Sequence, residues 1–199
     1  MCSLADREKK LLLEAARRAL TLAAHGGEPL LESDLPSDEA LTRPGGAFVT
    51  LRIRKRLRGC IGQLASGTSL IGVVTYCARA AALDDPRFQP VRPEEVPEID
   101  IEISVLSDPE DIAPFQIEAR IEPGRHGLIV TRGAQRGLLL PQVAAEFRWS
   151  AQRFLEETCA KGGIEPATWK DPATRIQAFT AEVFSESTFG VSTQVRNSA

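Results

Sequence analysis

AFVTLRIRKRLRGCIGQL, Ala47 to Leu64, is the stretch whose reading decides the fold. Its first half alternates. Val49, Leu51 and Ile53 fall on one side and Phe48, Thr50, Arg52 and Arg54 on the other, the period of a strand with one buried face. After a turn near Lys55 and Arg56 the pattern returns in LRGCIGQL, so the two halves read as a β-hairpin. Gly59 and Gly62 flank Cys60 in the returning strand. Glycine inside a strand marks a bulge or a close approach by another backbone or a ligand. In a regular strand Arg58, Cys60 and Gly62 share one face, while Leu57, Gly59, Ile61 and Gln63 share the other. A bulge would re-aim either Arg58 or Cys60.

Outward from the hairpin, Leu12, Ala15, Ala16, Ala19, Leu20 and Ala23 recur at helical spacing. They predict an amphipathic helix from Leu4 to about Ala24, stopped by Gly26 and Gly27. Gly26 to Gly46 has no sustained period and reads as a long loop. Ser69 is placed to cap LIGVVTYCARAAAL, whose small residues suit close packing on a sheet, with Tyr76 and Cys77 expected in the core. DDPRFQPVRPEEVPE, with four prolines, is an irregular connection, and IDIEISVLS is a strand. HGLIVTRG and RGLLLPQV form a second strand pair about a turn at Gly133 to Gln135, ended by Pro141. SAQRFLEETCAKGG is a helix between a Ser150 cap and a Gly162 stop, and TRIQAFTAEVFSE is a last strand. Trp149 and Trp169 are expected as packing anchors. Strand pairs separated by helices, without a regular βαβ repeat, define an α+β fold: a mostly antiparallel sheet with flanking helices. The 199 residues fit one domain, with 187–199 as a flexible tail.

The charge balance, 24 basic against 27 acidic residues, excludes a globally basic nucleic-acid or membrane binder. MCSLADREKK places charges where a secretory signal would be apolar, and no apolar run is long enough to span a bilayer, so a cytoplasmic location is expected. Cys2, Cys60, Cys77 and Cys159 show no CxxC spacing, and reduced thiols are expected. With His25 and His126 the only histidines, no metal cluster is expected. No P-loop or dinucleotide fingerprint is present, and no cofactor is expected.

Cys60 is the first candidate for chemistry. A thiol becomes nucleophilic where cations stabilise its anion, and Arg58 follows Arg52, Arg54, Lys55 and Arg56 just upstream. Gly59 and Gly62 would let a ligand reach the backbone. The competing reading is a buried structural cysteine. The basic run could hold an anion or suppress edge pairing; it carries no interleaved aromatics, which disfavours nucleic acid. His126, beside Gly127, is the candidate proton carrier for a Cys/His pair, or an ordinary turn residue. Asp85 and Arg87 in DDPRF, and Gln142 after LLLP, are candidates for lining a ligand site. Asp before proline also initiates turns, and Gln142 would equally cap one.

LRGCIG (Leu57 to Gly62), DPRF (Asp85 to Phe88), IEISVLS (Ile101 to Ser107), HGLIV (His126 to Val130), GLLLPQVA (Gly137 to Ala144) and WKDP (Trp169 to Pro172) come in the order seen in the AMMECR domain family. The chain resembles that family over roughly residues 9–186. The resemblance implies a larger and a smaller subdomain, with LRGCIG at a cleft between them. The family's prokaryotic name, AmmeMemoRadiSam system protein A, implies Memo-like and radical-SAM partner proteins. Its LRGCIG segment has the look of an active or binding site, an expectation that falls here on Arg58, Gly59, Cys60 and Gly62. RIRKRLRG departs from the family's usual Gly- or Asn-containing turn. Two functions follow as expectations. One is a small-molecule enzyme or accessory enzyme using Cys60 and His126, with Arg58, Gly59, Gly62, Asp85, Arg87 and Gln142 on the ligand. The other is a non-catalytic binding or scaffold subunit that presents the basic hairpin and cleft to a protein or nucleic-acid partner, with Cys60 in the core.

Overall fold

The computed structural model describes residues 3–64 and 67–189. The described chain divides into two compact units: residues up to Val105 together with those from Glu182 onward, and Leu106–Ala181.

The larger unit begins with α1 (Asp6–Ala24), whose buried face is Leu12, Leu13, Ala15, Ala16, Ala19, Leu20 and Ala23. The following segment is not wholly irregular. It contains a 3-10 turn at Glu32–Asp34 and a short α2 (Glu39–Thr42), where the Asp38 carboxylate accepts from the Ala40 N–H. Local capping is enough for one helical turn that has no apolar period of its own. β1 (Gly46–Ile53) and β2 (Arg56–Gln63) form the antiparallel hairpin. Ser69 Oγ accepts from the Gly72 N–H to start α3 (Leu70–Leu83), a mostly buried helix that packs on both α1 and the hairpin. A 3-10 segment at Pro93–Glu98 leads into β3 (Ile99–Leu106). In this unit β2 is the outer strand, next to β1, then β3. The core is built from the inner faces of these strands and the two long helices, with Val49, Leu51, Ile101 and Ile103 fully buried.

The second unit has its own core around Leu128, Val130, Phe154, Leu155 and Cys159. It contains β4 (Glu110–Asp111), α4 (Ile117–Arg120), β5 (His126–Arg132), β6 (Gln135–Leu139), α5 (Pro141–Glu146) and α6 (Ala151–Lys161). β7 (Arg175–Ser185) follows; in this unit β4 and β5 both pair antiparallel with it, and β6 pairs antiparallel with β5. Pro141 does more than end a strand. It is the first residue of α5, where its missing N–H is no loss.

β7 runs on into the larger unit and ends in α7 (Glu186–Phe189). Ser187, Thr188 and Phe189, expected as part of a flexible tail, are held there. The Ser187 N–H donates to Asp100 Oδ1 at 3.0 Å, and the Phe189 ring packs edge-on to Phe184. The rest of that tail lies outside the described residues. The α+β class read from the strand and helix pattern is the observed one.

Candidate functional site

The hairpin register decides what each motif residue can do. Thr50 pairs with Cys60 and Leu51 with Gly59, but Arg52 pairs with Leu57, so Arg58 is an extra residue, a β-bulge. Simple alternation, which put Arg58 and Cys60 on one face, therefore fails at this point. Cys60 shares its face with Leu57, Thr50 and Arg52. The turn also falls one residue earlier than the sequence suggested. Ile53 pairs with Arg56, leaving Arg54 and Lys55 as a two-residue loop, both with positive φ (50° and 68°), the type I′ geometry of a tight hairpin.

Both motif glycines are accounted for by packing within the larger unit. A Cβ on Gly59 would lie 2.2 Å from the Ala81 carbonyl oxygen, because the backbone of α3 comes down on β2 there. A Cβ on Gly62 would lie 2.1 Å from Phe48 Cδ1, because the ring of its cross-strand partner lies over it. The space beside each Cα is occupied by protein.

Arg58 is also spoken for. Its Nε and Nη2 donate to the two oxygens of Glu95 at 2.8 and 3.0 Å, and Nη1 and Nη2 donate to the carbonyls of Gln89 and Pro90 at 2.9 and 3.2 Å. These bonds hold the Glu95 carboxyl down at about 2, chiefly through Arg58 and against the opposing effect of burial. The arginine thus fastens the proline-rich connection to the bulge.

Asp85 and Arg87 form the second fastening. Asp85 is buried, with 4% of its surface exposed, and its Oδ2 accepts from the Cys60 N–H at 2.8 Å. Arg87 donates Nε to Asp85 Oδ1 (2.9 Å) and Nη2 to Oδ2 (2.7 Å), and Nη2 also reaches the Cys60 carbonyl at 3.2 Å. Arg87's bonds hold the Asp85 carboxyl at about 2, with burial opposing and the Cys60 N–H assisting. Arg87 is in turn kept charged by Asp85 first, with smaller contributions from the Cys60 side chain. Its side chain is about half exposed (52%).

Cys60 itself is half-buried, and Thr50 Oγ1 donates to its Sγ at 3.3 Å. The other described thiols are different. Burial pushes Cys77 up to about 12, with Cys60 adding to the effect, and pushes Cys159 up to about 11. Among the described cysteines Cys60 is the one that is not buried.

His126 and Gln142 belong to the second unit. His126 opens β5, and its Nδ1 accepts from the Glu122 N–H at 3.0 Å. Burial first, and Arg125 next, lower its pKa below the ordinary histidine value, so the ring is neutral at pH 7 with its proton on Nε2. Gln142 is the second residue of α5 and half-buried. Sequence reasoning missed Thr50 and Glu95. The first is visible only once the hairpin register is known, and the second is 37 residues from its arginine.

Tyr76, expected in the core, is instead 60% exposed. It stands beside a hollow of about 460 Å³ lined also by Leu30, Leu35, Arg79 and Asp84, which contains none of the motif residues. Among the described residues no group of His, Cys, Asp and Glu is arranged to hold a metal ion, and no helix is long and apolar enough to cross a membrane.

These features define an α+β protein whose outer hairpin carries a glycine-flanked thiol, pinned by a downstream Asp-Pro-Arg-Phe box. The AMMECR1 family model matches residues 13–184, and the chain belongs to that family. A protein of Methanothermobacter thermautotrophicus is 44% identical over 90% of this chain and 94% of its own length. Protein PF1979 of Pyrococcus furiosus is 41% identical over 94% of this chain and 91% of its own. The crystal structure of the uncharacterized protein PH0010 from Pyrococcus horikoshii, 39% identical, superposes with a TM-score of 0.83 over 93% of this chain and 94% of that one.

Proposed function

We propose that this AMMECR1-family protein is a small-molecule enzyme or accessory enzyme whose reactive group is the Cys60 thiol. The observation that carries the reading is that both backbone polar groups of Cys60 are locked by Asp85 and Arg87, while the residue is only partly buried and its sulfur accepts from the Thr50 hydroxyl. A nucleophile needs this rigidity. Thr50 supplies a hydrogen bond to sulfur, and the exposed part of Arg87 can take an anionic group of the ligand. The free thiols suit a reducing compartment, which supports work in the cytoplasm.

The test is alkylation by iodoacetamide followed by peptide mapping. Cys60 should react faster than a free peptide thiol and far faster than Cys77 and Cys159, and Arg87→Gln should slow it. If Cys60 reacts no faster than the peptide and Cys60→Ser leaves cellular activity intact, the thiol is not the reactive group.

One observation favours a second reading. Arg58 and Asp85, two of the motif's charged side chains, spend their hydrogen bonds inside the protein. A binding or scaffold subunit, with Memo-like and radical-SAM proteins as the partners its resemblance implies, needs only such a rigid surface. Co-purification of those partners with the Cys60→Ser protein, with full activity, would select it.

A further inference from the structure

The turn of the β1–β2 hairpin is built from residues poorly suited to it. Both central positions of a type I′ turn have positive φ, which Asn and Gly adopt with little penalty and side chains such as arginine and lysine do not. Here those positions hold Arg54 and Lys55, at 50° and 68°. The backbone keeps the tight shape in spite of the sequence, so the unusual feature of the tip is its charge. Strain of this kind persists where something other than local stability favours it.

The charges are unequally balanced. Arg52 is paired with Glu102 at 3.5 Å, and Arg54 with Glu98 at 3.2 Å in a pair that is largely exposed. Lys55 and Arg56 are exposed and have no acidic partner among the described residues. Leu57, next to them, is a partly exposed apolar side chain (38%) on the outer strand of the sheet. The tip therefore presents two unneutralised cations, a third held loosely, and one apolar contact.

We propose that this tip docks a short acidic segment of a partner protein. The number of charges favours a peptide over a nucleic acid. Stable binding to duplex DNA draws on roughly six to ten phosphate contacts. The tip offers about half as many cations and has no aromatic platform for stacked bases. Two or three exposed pairs instead steer and orient a protein partner, raising the rate of encounter. The proposal stands apart from the reactivity of Cys60, because none of these side chains bonds to the sulfur.

Arg54→Asn with Lys55→Gly gives the turn its favoured residues and removes two charges, so the variant folds at least as well as the parent. The expected result is a higher urea midpoint together with about a fivefold loss of affinity, at low salt, for a fluorescein-labelled octapeptide of alternating Glu and Ala, with the difference shrinking at high salt. A control variant, Lys10→Gln with Lys161→Gln, removes the same charge from two exposed helix positions and should keep most of the binding. The proposal is overturned if the control loses as much affinity as the tip variant. It is equally overturned if a single-stranded RNA of matched charge binds the tip more tightly than the peptide. A tip variant that keeps its peptide affinity would overturn it too, and self-association of that variant would show that the charges only guard the sheet edge.

Discussion

Replacing Asp85 by asparagine removes a charge and little else, which makes it the sharpest probe of the clamp on Cys60. The asparagine can still accept the Cys60 N–H through its amide oxygen, but the paired bonds with Arg87 lose their ionic strength. The magnitude follows from the carboxyl, held at about 2 against an ordinary 3.8. Nearly two pH units, at about 1.4 kcal/mol each, give about 2 kcal/mol of stabilisation at neutral pH. The group's folded pKa is depressed, so this stability is fully present above the unfolded value of 3.8 and is lost as pH falls towards 2. Asp85→Asn should therefore cost about 2 kcal/mol at pH 7 and roughly half of that at pH 3, where the parent carboxyl has lost part of its advantage. Urea unfolding of both proteins across this range measures it. A cost below about 0.5 kcal/mol at pH 7, or one that does not decline between pH 5 and pH 3, would refute the claim that the charge of Asp85 organises the Cys60 strand.

Two further substitutions test the packing that frames the site. Gly59→Ala drives a methyl into the Ala81 carbonyl, which a helix backbone cannot yield easily, and should cost about 3 kcal/mol or more. Gly62→Ala meets only the Phe48 ring, which can swing aside, and should cost about half as much; equal costs in urea unfolding would contradict this distinction. Arg17→Met breaks a buried pair in which Arg17 donates Nε to Glu186 at 2.8 Å and reaches the carbonyls of Val96 and Ile99, so α7 should come loose at a cost of about 3–5 kcal/mol. Adding Glu186→Gln should recover part of that loss, because the unpaired buried carboxylate is then gone; no recovery would mean that the pair's charge is not what matters.

What was legible in the sequence was what is local. Ser69 and Ser150 cap α3 and α6 where a cap followed by apolar spacing said they would, and Gly162 ends α6. The hairpin was legible from alternation alone. Its bulge was not, because an extra residue in one strand is defined only against the partner strand, and Arg58 looks like any other residue in period two. The partners of the charged motif residues were hidden for a related reason. Arg58 reaches Glu95 and Asp85 reaches Cys60 across separations of 37 and 25 residues, through an irregular proline-rich connection whose path no periodicity predicts. Tyr76 looks like a core residue in the sequence because α3 is apolar on nearly every side, and spacing alone gives no sign that one position opens onto a hollow.

The boxes LRGCIG and DPRF are best understood as parts of one device. Cys60 lies opposite Thr50 with its N–H and C=O bonded away from β1, the arrangement of a non-hydrogen-bonded pair in an antiparallel ladder. On an outer strand those two groups would face water or invite another chain. Asp85 accepts from the one and Arg87 donates to the other, so two side chains do for this residue what a neighbouring strand would do. Gly59 admits α3, Gly62 admits Phe48, and Arg58 ties the bulge to the connection that carries Asp85 and Arg87. Every one of these contacts is made by backbone, by a missing side chain, or by an arginine or aspartate. None of them requires sulfur, since the clamp grips only the main chain of residue 60 and a smaller side chain would leave it intact. The sulfur accepts from Thr50 Oγ1 but takes no part in the clamp, so Cys60→Ser leaves the architecture standing and tests the thiol by itself.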